Sequence, residues 1–334
     1  MSDSRNISPE VTTVGEALAV FTPASRGALR NVRRFDSGVG GAEANVAVAL
    51  ARLGHRSGWS GYLGEDELGS QVREFLRAEG VDISRAEFIP ESPTGLYLKE
   101  FRARETLRVH YYRSGSAASR MSTEEADLDW LLSSKIVHLT GITAVLSEGC
   151  HGLVRHIADE ANRRGVEVCF DANVRHRLLG ERDPVHTLFP LLKTADLIFL
   201  SDDEAELLLD ARGPQEVAQA TRDLRAHTVV VHGARGAFAV SREFASAEAV
   251  GYSEQRDISE APTTPVDVVD PVGAGDAFVA GFLAGRLRRL EDQRCLRLAN
   301  ACGACAASLP GDAESMPYAE DVAVELGSEF RSER

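Results

Sequence analysis

Residues 267–281 are the part of the chain whose residue types best suit a chemical reaction. An apolar run leads through Gly273, Ala274 and Gly275 to Asp276 and then to a second apolar run, which predicts a strand, a tight turn and a helix. Glycines let a backbone approach a ligand closely, and the free N–H groups at a helix N-terminus attract an anion. The segment therefore predicts a phosphate cradle. It is neither a Walker A loop nor a dinucleotide fingerprint, because the spacing of both motifs fails.

Asp276 is the unusual member of this turn. A carboxylate beside a phosphate is unfavourable unless it takes part in the chemistry, by accepting a proton from an attacking hydroxyl or by helping to place a metal ion. An Asp in the first turn of a helix can also simply complement the helix dipole, and for the four residues 273–276 alone that explanation is the better one. The longer context favours a phosphate cradle that carries its own base.

A second glycine-rich segment occupies residues 38–54 and continues to residue 69. The two segments together resemble the two signatures of the ribokinase (PfkB-type) carbohydrate kinases, in the same order and separation. The resemblance implies an α/β fold: a three-layer α/β/α body with a mainly parallel sheet and a small inserted β-sheet lid that closes over the sugar. It also implies transfer of the γ-phosphoryl group of ATP to a sugar hydroxyl, with Mg²⁺ beside the phosphates.

The resemblance assigns roles to individual residues. Asp276 matches the catalytic base of the family. The backbone N–H groups of Gly273, Ala274 and Gly275 match its anion hole. Three residues of the first signature match sugar-contacting positions; these are Gly40, Gly41 and Asn45. Close helix packing would equally explain the two glycines, and a helix cap would explain Asn45.

The nucleotide and metal positions follow from weaker matches. Ser201 stands where the family often has Asn, and Glu204 matches the Glu that helps to organise hydrated Mg²⁺; a helix cap is the alternative for both. Gly233 and Gly236 resemble the nucleotide turn of the family but lack its frequent Lys, and a plain hairpin turn would look the same. Asn300 matches a position near the adenine, although a buried Asn joining two helices is also possible.

The sugar is indicated by residues near the predicted lid. A sugar acid carries a carboxylate, which an arginine fork binds through two charge-assisted hydrogen bonds. The segments around four residues look like the 2-keto-3-deoxygluconate kinase branch, with Arg113 and Arg175 as carboxylate partners; the four residues are Tyr97, Tyr111, Arg113 and Arg175. An aromatic β-strand pair for Tyr111 and Tyr112 and a surface salt bridge for Arg175 are the structural alternatives. Fructokinase, ribokinase and nucleoside kinase activity remain alternatives, as does an inactive sugar- or nucleotide-binding relative.

The elements that position these residues follow from the hydrophobic pattern. Strands at 136–139, 166–170, 197–200 and 228–231 alternate with helices such as 147–164 and 202–209, which predicts βαβ units. The first third instead predicts a β layer from strands at 11–21, 95–102 and 107–112, the last two joined by a turn at 103–105. Between them lie a helix at 42–53, a strand at 57–62 and a helix at 65–79. We expect one domain over residues 11–326, lid strands from about 12–40 and 93–114, and flexible tails at 1–10 and 327–334.

The charge balance and the cysteine content indicate which partners and which compartment to expect for this protein. The 37 Lys and Arg against 51 Asp and Glu give a net charge of −14, which argues against binding nucleic acid through bulk electrostatics. Five unpatterned cysteines predict reduced thiols in a cytoplasmic protein, with the pair Cys302 and Cys305 packing in a helix rather than holding a metal. The residue pattern argues against a signal peptide and against a bilayer span. Apolar lid strands suggest a homodimer through an exposed β edge.

Overall fold

The computed structural model describes residues 8–102, 107–124, 126–242 and 256–327. The strands of these segments are β1 (Val11–Val14), β2 (Leu18–Pro23), β3 (Phe35–Gly40), β4 (Ser57–Gly64), β5 (Asp82–Ile89), β6 (Leu96–Phe101), β7 (Leu107–Tyr112), β8 (Ile136–Thr140), β9 (Glu167–Asp171), β10 (Leu197–Ser201), β11 (Thr228–Gly233), β12 (Gly236–Arg242) and β13 (Arg256–Pro262). The helices are α1 (Ala42–Arg52), α2 (Glu67–Ala78), α3 (Leu128–Leu131), α4 (Gly141–Leu146), α5 (Glu148–Arg164), α6 (His176–Leu179), α7 (Pro184–Leu192), α8 (Asp202–Leu209), α9 (Gly213–Ala220), α10 (Ala274–Leu287), α11 (Asp292–Ala307) and α12 (Ala323–Leu326).

The larger sheet has nine strands in the order β13-β12-β11-β10-β9-β8-β1-β4-β5. The run from β11 to β5 is parallel, and β12 and β13 add an antiparallel edge. Successive side chains of a strand point to opposite faces. In β11, Val230 joins the core cluster packed with α1, α10 and α11, whereas Val229 and Val231 join the cluster packed with α5, α7 and α8. Both faces are thus covered by helices, which confirms the α/β/α expectation.

A smaller sheet of four strands, β3-β2-β6-β7, forms the lid. The expected single strand over 11–21 is wrong, because it divides between the two sheets: β1 pairs with β4 and β8, whereas β2 pairs with β3 and β6. The lid therefore begins at Leu18 rather than near residue 12. The chain leaves the large sheet at Gly15, where a Cβ would lie 2.1 Å from the Glu43 Cδ atom. Both halves are apolar, so the residue pattern does not show that they separate.

Local end signals account for the predicted helices. Helix α5 begins after Ser147, whose side chain accepts a hydrogen bond from the Cys150 N–H, and it ends at Gly165 with a φ of 72°. Helix α8 has a capping box, in which Ser201 and Glu204 each accept a backbone hydrogen bond from the other. These contacts satisfy free N–H groups at the helix N-terminus. They confirm the predicted helices at 147–164 and 202–209.

The strand predicted at the start of the 267–281 segment does not form. Val268 and Val269 are 64% and 49% exposed, and the N–H groups of Val269 and Asp270 both donate to the carbonyl oxygen of Ala307, at 2.8 and 3.1 Å. This part of the chain lies against the end of α11 without forming a strand. Its β-prone residues favour a strand, but strand formation needs a partner at a sheet edge.

The structure also bears on the expectations for the chain ends, the cysteines and a bilayer span. The turn predicted at 103–105 lies outside the described residues, as do most of the predicted tails. Glu10 falls within a predicted tail, yet its N–H donates to the Arg56 carbonyl at 2.7 Å and its carboxylate pairs with Lys135. All five cysteines are free thiols, and Cys302 lies buried in α11. In the described part of the chain, no helix is both long and apolar enough to cross a bilayer.

Candidate active site

A cavity of about 400 Å³ lies between the lid and the carboxyl ends of the parallel strands. It brings together residues from both signatures and from the lid. The predicted site residues that line it are Gly41, Asn45, Tyr97, Tyr111, Arg113, Arg175, Ser201, Glu204, Gly273, Gly275 and Asp276. Among the lining residues without a predicted role, the ionisable ones are Glu16, Asp171, His232 and Asp312. Gly40 is not among the lining residues.

Asp276 lies in the first turn of α10 and faces this cavity. Its Oδ2 atom accepts a hydrogen bond from the Asn45 Nδ2 atom at 2.7 Å, and the same Nδ2 donates to the Asp312 Oδ1 atom at 2.7 Å. Asn45 is in the second turn of α1, whose N-cap is Gly41, so the helix-cap alternative for Asn45 is wrong. The Asn45 side chain instead joins two acidic groups.

In its protein environment the Asp276 carboxyl group holds its proton more readily than it would in water. Burial raises the pKa of Asp276 to about 7, the negative charge of Asp312 adds to this shift, and the Asn45 hydrogen bond and Arg175 oppose it. Burial likewise raises the pKa of Asp312 to about 6. A carboxylate with a pKa near neutrality can take a proton and release it again.

The turn before Asp276 has the conformation that an anion site requires. Gly273 is the N-cap of α10 with a φ of 84°, a value that favours glycine, and a Cβ there would lie 2.8 Å from the Asp312 Oδ1 atom. The Ala274 N–H makes a long hydrogen bond, 3.4 Å, to the Pro271 carbonyl. The first N–H groups of a helix have no partners within the helix. The amides of the turn can therefore bind an anion at the cavity wall.

The two glycines of the first signature lie at close backbone approaches. Gly41 has a φ of 128°, and a Cβ there would lie 2.2 Å from the Glu16 carbonyl oxygen. A Cβ at Gly40 would lie 2.1 Å from the Asp312 Oδ2 atom. Close packing, the structural alternative, thus accounts for both glycines. Gly41 also lines the cavity, and its sugar contact stays a prediction.

The two arginines predicted to bind a carboxylate differ in their surroundings. Arg113 is nearly buried and forms an ion pair with Glu16, whose Oε1 atom also accepts a hydrogen bond from the Ser116 hydroxyl at 2.6 Å. Arg175 is exposed at the cavity, and its Nη1 atom donates to the Val174 carbonyl at 3.3 Å. Within the described residues Arg175 forms no ion pair, so the salt-bridge alternative is wrong there. Arg113, in contrast, already has a carboxylate partner.

The aromatic residues come from neighbouring lid strands. Tyr97 and Tyr111 are directly opposite each other on β6 and β7, and their ring centroids lie 5.3 Å apart. They form an aromatic pair across the two strands, and both also line the cavity. Burial and Asp312 raise the pKa of Tyr97 well above its usual range, so its hydroxyl keeps its proton and donates to Asp312.

A second cavity, of about 370 Å³, lies beside the first. His232 and Gly275 line both cavities, so the two spaces meet at the turn before Asp276. The wall of the second cavity is largely apolar and includes Val266, Val268, Phe278, Ala304 and Ala307. We call this second space the outer cleft.

Some of the residues predicted to lie near the nucleotide line the outer cleft, and others do not. Gly233, Ala274 and Asn300 line it, whereas Gly236 is not among its lining residues. Gly233 and Gly236 pair across the β11–β12 hairpin, as the plain-turn alternative expects. The Asn300 Nδ2 atom donates to the Ala261 and Pro262 carbonyls at 3.2 and 3.0 Å. Asn300 thus joins α11 to the end of β13 rather than to another helix.

Ser201 and Glu204 are at the wall of the first cavity, in the capping box of α8. The Glu204 carboxylate accepts hydrogen bonds from the backbone N–H groups of Val174, at 2.6 Å, and Ser201, at 2.8 Å. Each carboxylate oxygen can accept a second interaction. The capping explanation is therefore correct for both residues, and it leaves Glu204 able to face a hydrated cation.

The residues missed by the sequence reasoning are acidic or imidazole groups that tertiary contacts bring in. Glu16 carried one signal, since it is a charged residue in an apolar stretch. Asp171 ends a strand, where ligand-binding residues are common; burial and the charge of Glu204 raise its pKa well above the usual range. His232 stacks on Phe278, with ring centroids 4.7 Å apart. Asp312 had no local signal.

Comparisons with known proteins agree with this geometry. The profile of the pfkB family carbohydrate kinases matches residues 8–319. A 2-dehydro-3-deoxygluconokinase of Bacillus subtilis (strain 168) is 35% identical over 323 residues, covering 96% of each chain. A probable chloroplastic fructokinase-6 of Arabidopsis thaliana is 32% identical over 94% of this chain and 82% of its own. The crystal structure of a PfkB protein from Polaromonas sp. JS666 has a TM-score of 0.80 at 31% identity, covering 92% of this chain and 99% of that one. The chain therefore belongs to the pfkB family of carbohydrate kinases.

Proposed function

We propose that this kinase transfers the γ-phosphoryl group of ATP to the terminal hydroxyl of 2-keto-3-deoxygluconate, with Asp276 as the base. One observation carries the proposal: the partly buried Asp276 carboxylate, with a pKa raised to about 7, adjoins the turn at 273–275, where the two cavities meet. A sugar hydroxyl in the first cavity and a phosphate at the turn would therefore both lie next to this carboxylate.

The proposed reaction needs little covalent chemistry from the protein. The Asp276 carboxylate takes the proton of the sugar hydroxyl while the new oxygen–phosphorus bond forms and the bond to the leaving ADP breaks. The amides of Gly273, Ala274 and Gly275 stabilise the charge that develops on the transferred group. Asn45 fixes the direction of the Asp276 carboxylate through its hydrogen bond.

The outer cleft suits the nucleoside part of ATP. Its apolar wall, with Val268 and Phe278, matches the flat and weakly polar face of an adenine. In the described residues no three His, Cys, Asp or Glu side chains form a metal cluster. Mg²⁺ typically keeps several waters and uses one or two carboxylates together with substrate phosphates. Glu204 fits that role, and Mg²⁺ would neutralise charge on the phosphates.

The exposed guanidinium of Arg175 supports a sugar acid as the acceptor. It faces the cavity opposite Tyr111 and within the electrostatic range of Asp276, where a substrate carboxylate would give it a charged partner. The name of the Bacillus subtilis relative supports the same substrate. Which epimer of the acid is accepted depends on a single hydroxyl.

A neutral ketose is the second candidate, and one specific observation favours it. Glu16 already neutralises Arg113, so one of the two arginines expected to bind the carboxylate has a partner within the protein. The Arabidopsis relative is named as a fructokinase. Fructose therefore belongs in any test of the acceptor.

We further propose a cytoplasmic homodimer. The free thiols support a reducing compartment, and the edge strands of the lid, β3 and β7, support association through a sheet edge. Light scattering after gel filtration tests the assembly: a mass of twice 36.1 kDa is expected, and the monomer mass would contradict it.

The acceptor is tested by coupled ADP release with Mg-ATP and a panel of 2-keto-3-deoxygluconate, its galactonate epimer, fructose, ribose and adenosine. We expect the highest kcat/KM with a keto-deoxy acid. A preference for fructose would support the second candidate. An absence of ADP release with every acceptor would identify an inactive relative and contradict both proposals.

A further inference from the structure

Lys99 is a charged residue of the lid strand β6 whose side chain is completely buried. Its Nζ atom lies 2.6 Å from the Oδ2 atom of Asp270, which is also fully buried, and it donates a second hydrogen bond to the Gly311 carbonyl. These three residues line neither the first cavity nor the outer cleft. One ammonium group thus joins the lid, the segment before the turn at 273–275 and the loop after α11.

We propose that Lys99 is a positioning residue for phosphoryl transfer: its ammonium group is a built-in cation that holds Asp270 and Gly311 together and thereby fixes the turn at 273–275. This inference rests on the proposed function, in which the amides of that turn bind the transferred phosphoryl group. Because the protein carries its own cation at this place, the turn needs no monovalent cation from solution.

The Asp270 carboxylate directs the backbone that leads to the turn. Its Oδ1 atom accepts a hydrogen bond from the Val272 N–H at 3.1 Å, and its Oδ2 atom accepts from the Lys99 ammonium. Val272 directly precedes Gly273, the N-cap of α10. An ionised carboxylate can only accept hydrogen bonds, so these two donors fix both of its oxygens. A displacement of Asp270 would therefore displace the first amides of the turn.

The loop after α11 is held to the turn from the same point. The buried ammonium donates to the Gly311 carbonyl, and the Asp270 N–H donates to the Ala307 carbonyl at 3.1 Å, at the end of α11. The loop also packs on the turn itself, because a Cβ at Gly273 would lie 2.9 Å from the Met316 Cε atom. The ammonium therefore lies where two touching segments of the chain converge, and it binds both.

The lid strand β6 places this cation. Side chains two positions apart on a strand point to the same face, so Lys99 lies on the face of β6 that carries Tyr97. The Tyr97 side chain lines the first cavity, whereas Lys99 reaches Asp270. The strand that covers the proposed sugar site thus also supplies the charge that orders the phosphate side of the site.

Removal of this ammonium group would leave a place for an ammonium ion. A buried carboxylate that loses its partner keeps an uncompensated charge, and the Asp270 carboxylate and the Gly311 carbonyl would both face the space that the lysine side chain had filled. An ammonium ion supplies the same compact positive charge and the same N–H donors. Tetramethylammonium carries the charge but has no N–H group, so it cannot replace the lysine.

The test is ADP release by Lys99→Ala and by the wild-type protein in chloride salts of ammonium, potassium or tetramethylammonium, at equal ionic strength. In tetramethylammonium we expect the variant to lose about 10- to 100-fold in kcat, as for a displacement of about 1 Å at a reacting site, with the sugar KM largely unchanged. Ammonium should restore most of this loss, and the wild-type kcat should be the same in all three salts.

Two results of this comparison would overturn the inference. A loss of kcat in Lys99→Ala that ammonium does not restore would indicate a merely structural role for the lysine. A wild-type kcat that requires potassium or ammonium would show that Lys99 does not replace a cation from solution. Failure of the proposed function differs from both, since the wild-type protein would then release no ADP with any acceptor.

A double variant and a distant lysine complete the design. Lys99→Ala with Asp270→Asn removes both charges, so it decides the question if the single variant does not fold. Its kcat should be low in every salt, because the carboxylate that would bind the ammonium ion is gone; a kcat near the wild-type value, or restoration by ammonium, would overturn the inference. Lys135→Ala is the control, since Lys135 is exposed and pairs with Glu10, and it should keep its kcat in every salt.

Discussion

The Asn45 Nδ2 atom lies 2.7 Å from the Asp276 Oδ2 atom, although 231 positions separate these residues in the chain. This contact joins the first signature, on α1, to the second, on α10. It places α1 against the proposed base and beside the turn at 273–275. The two signatures are therefore parts of a single site.

The raised pKa of Asp276 predicts an acidic limb in the activity profile. A base must be deprotonated to accept a proton, so kcat/KM should fall below pH 7, near the pKa of about 7, and approach a tenfold loss for each further pH unit. Initial rates at subsaturating sugar measure this, with circular dichroism as the control that the fold persists. A profile without a limb near neutrality would contradict the assignment.

Arg175→Gln should reduce kcat/KM for 2-keto-3-deoxygluconate. Loss of charge-assisted hydrogen bonds of about 1.5–3 kcal/mol corresponds to roughly a 10- to 100-fold decrease, whereas fructose should change little because it has no carboxylate. Arg177→Gln is the matched control, since Arg177 is exposed two residues away and lies outside the site cavity. Equal losses with both sugars would show that Arg175 does not recognise the acid.

Local signals in the sequence predicted much of this structure, and long-range contacts account for what was missed. The ends of α5 and α8 follow from Ser147, Gly165 and Ser201, because caps act over a few residues. Asp312 was missed because it reaches Asn45 across 267 positions. The false strand at 267–270 has the same origin, since β-prone residues form a strand only where a sheet edge is available.

Lys99→Met should destabilise the protein strongly. Lys99 and Asp270 are both fully buried, and removing one partner of such a pair leaves an uncompensated charge that costs about 3–5 kcal/mol. Urea unfolding measures the free energy of unfolding. The double variant Lys99→Met with Asp270→Asn should recover part of the loss. An unchanged unfolding midpoint in the single variant would contradict the importance of the pair.

Val268→Asp should raise the KM for ATP about tenfold, since the outer cleft would gain a charge where an apolar wall is expected to meet the nucleoside. The change should not affect stability, because Val268 is 64% exposed. Val324→Asp is the control: Val324 is 92% exposed, in α12, and lines neither cavity. If the two variants have the same KM for ATP, the nucleotide does not bind in the outer cleft.

The central claim is that Asp276 is the base for phosphoryl transfer to a sugar acid, and the most direct measurement compares Asp276→Asn with the wild-type protein. We would measure kcat by ADP release and sugar affinity by calorimetry on the same preparations. The account predicts a loss in kcat of about 100-fold or more, the usual contribution of a general base, with sugar affinity largely retained. A variant that turns over near the wild-type rate would contradict the account.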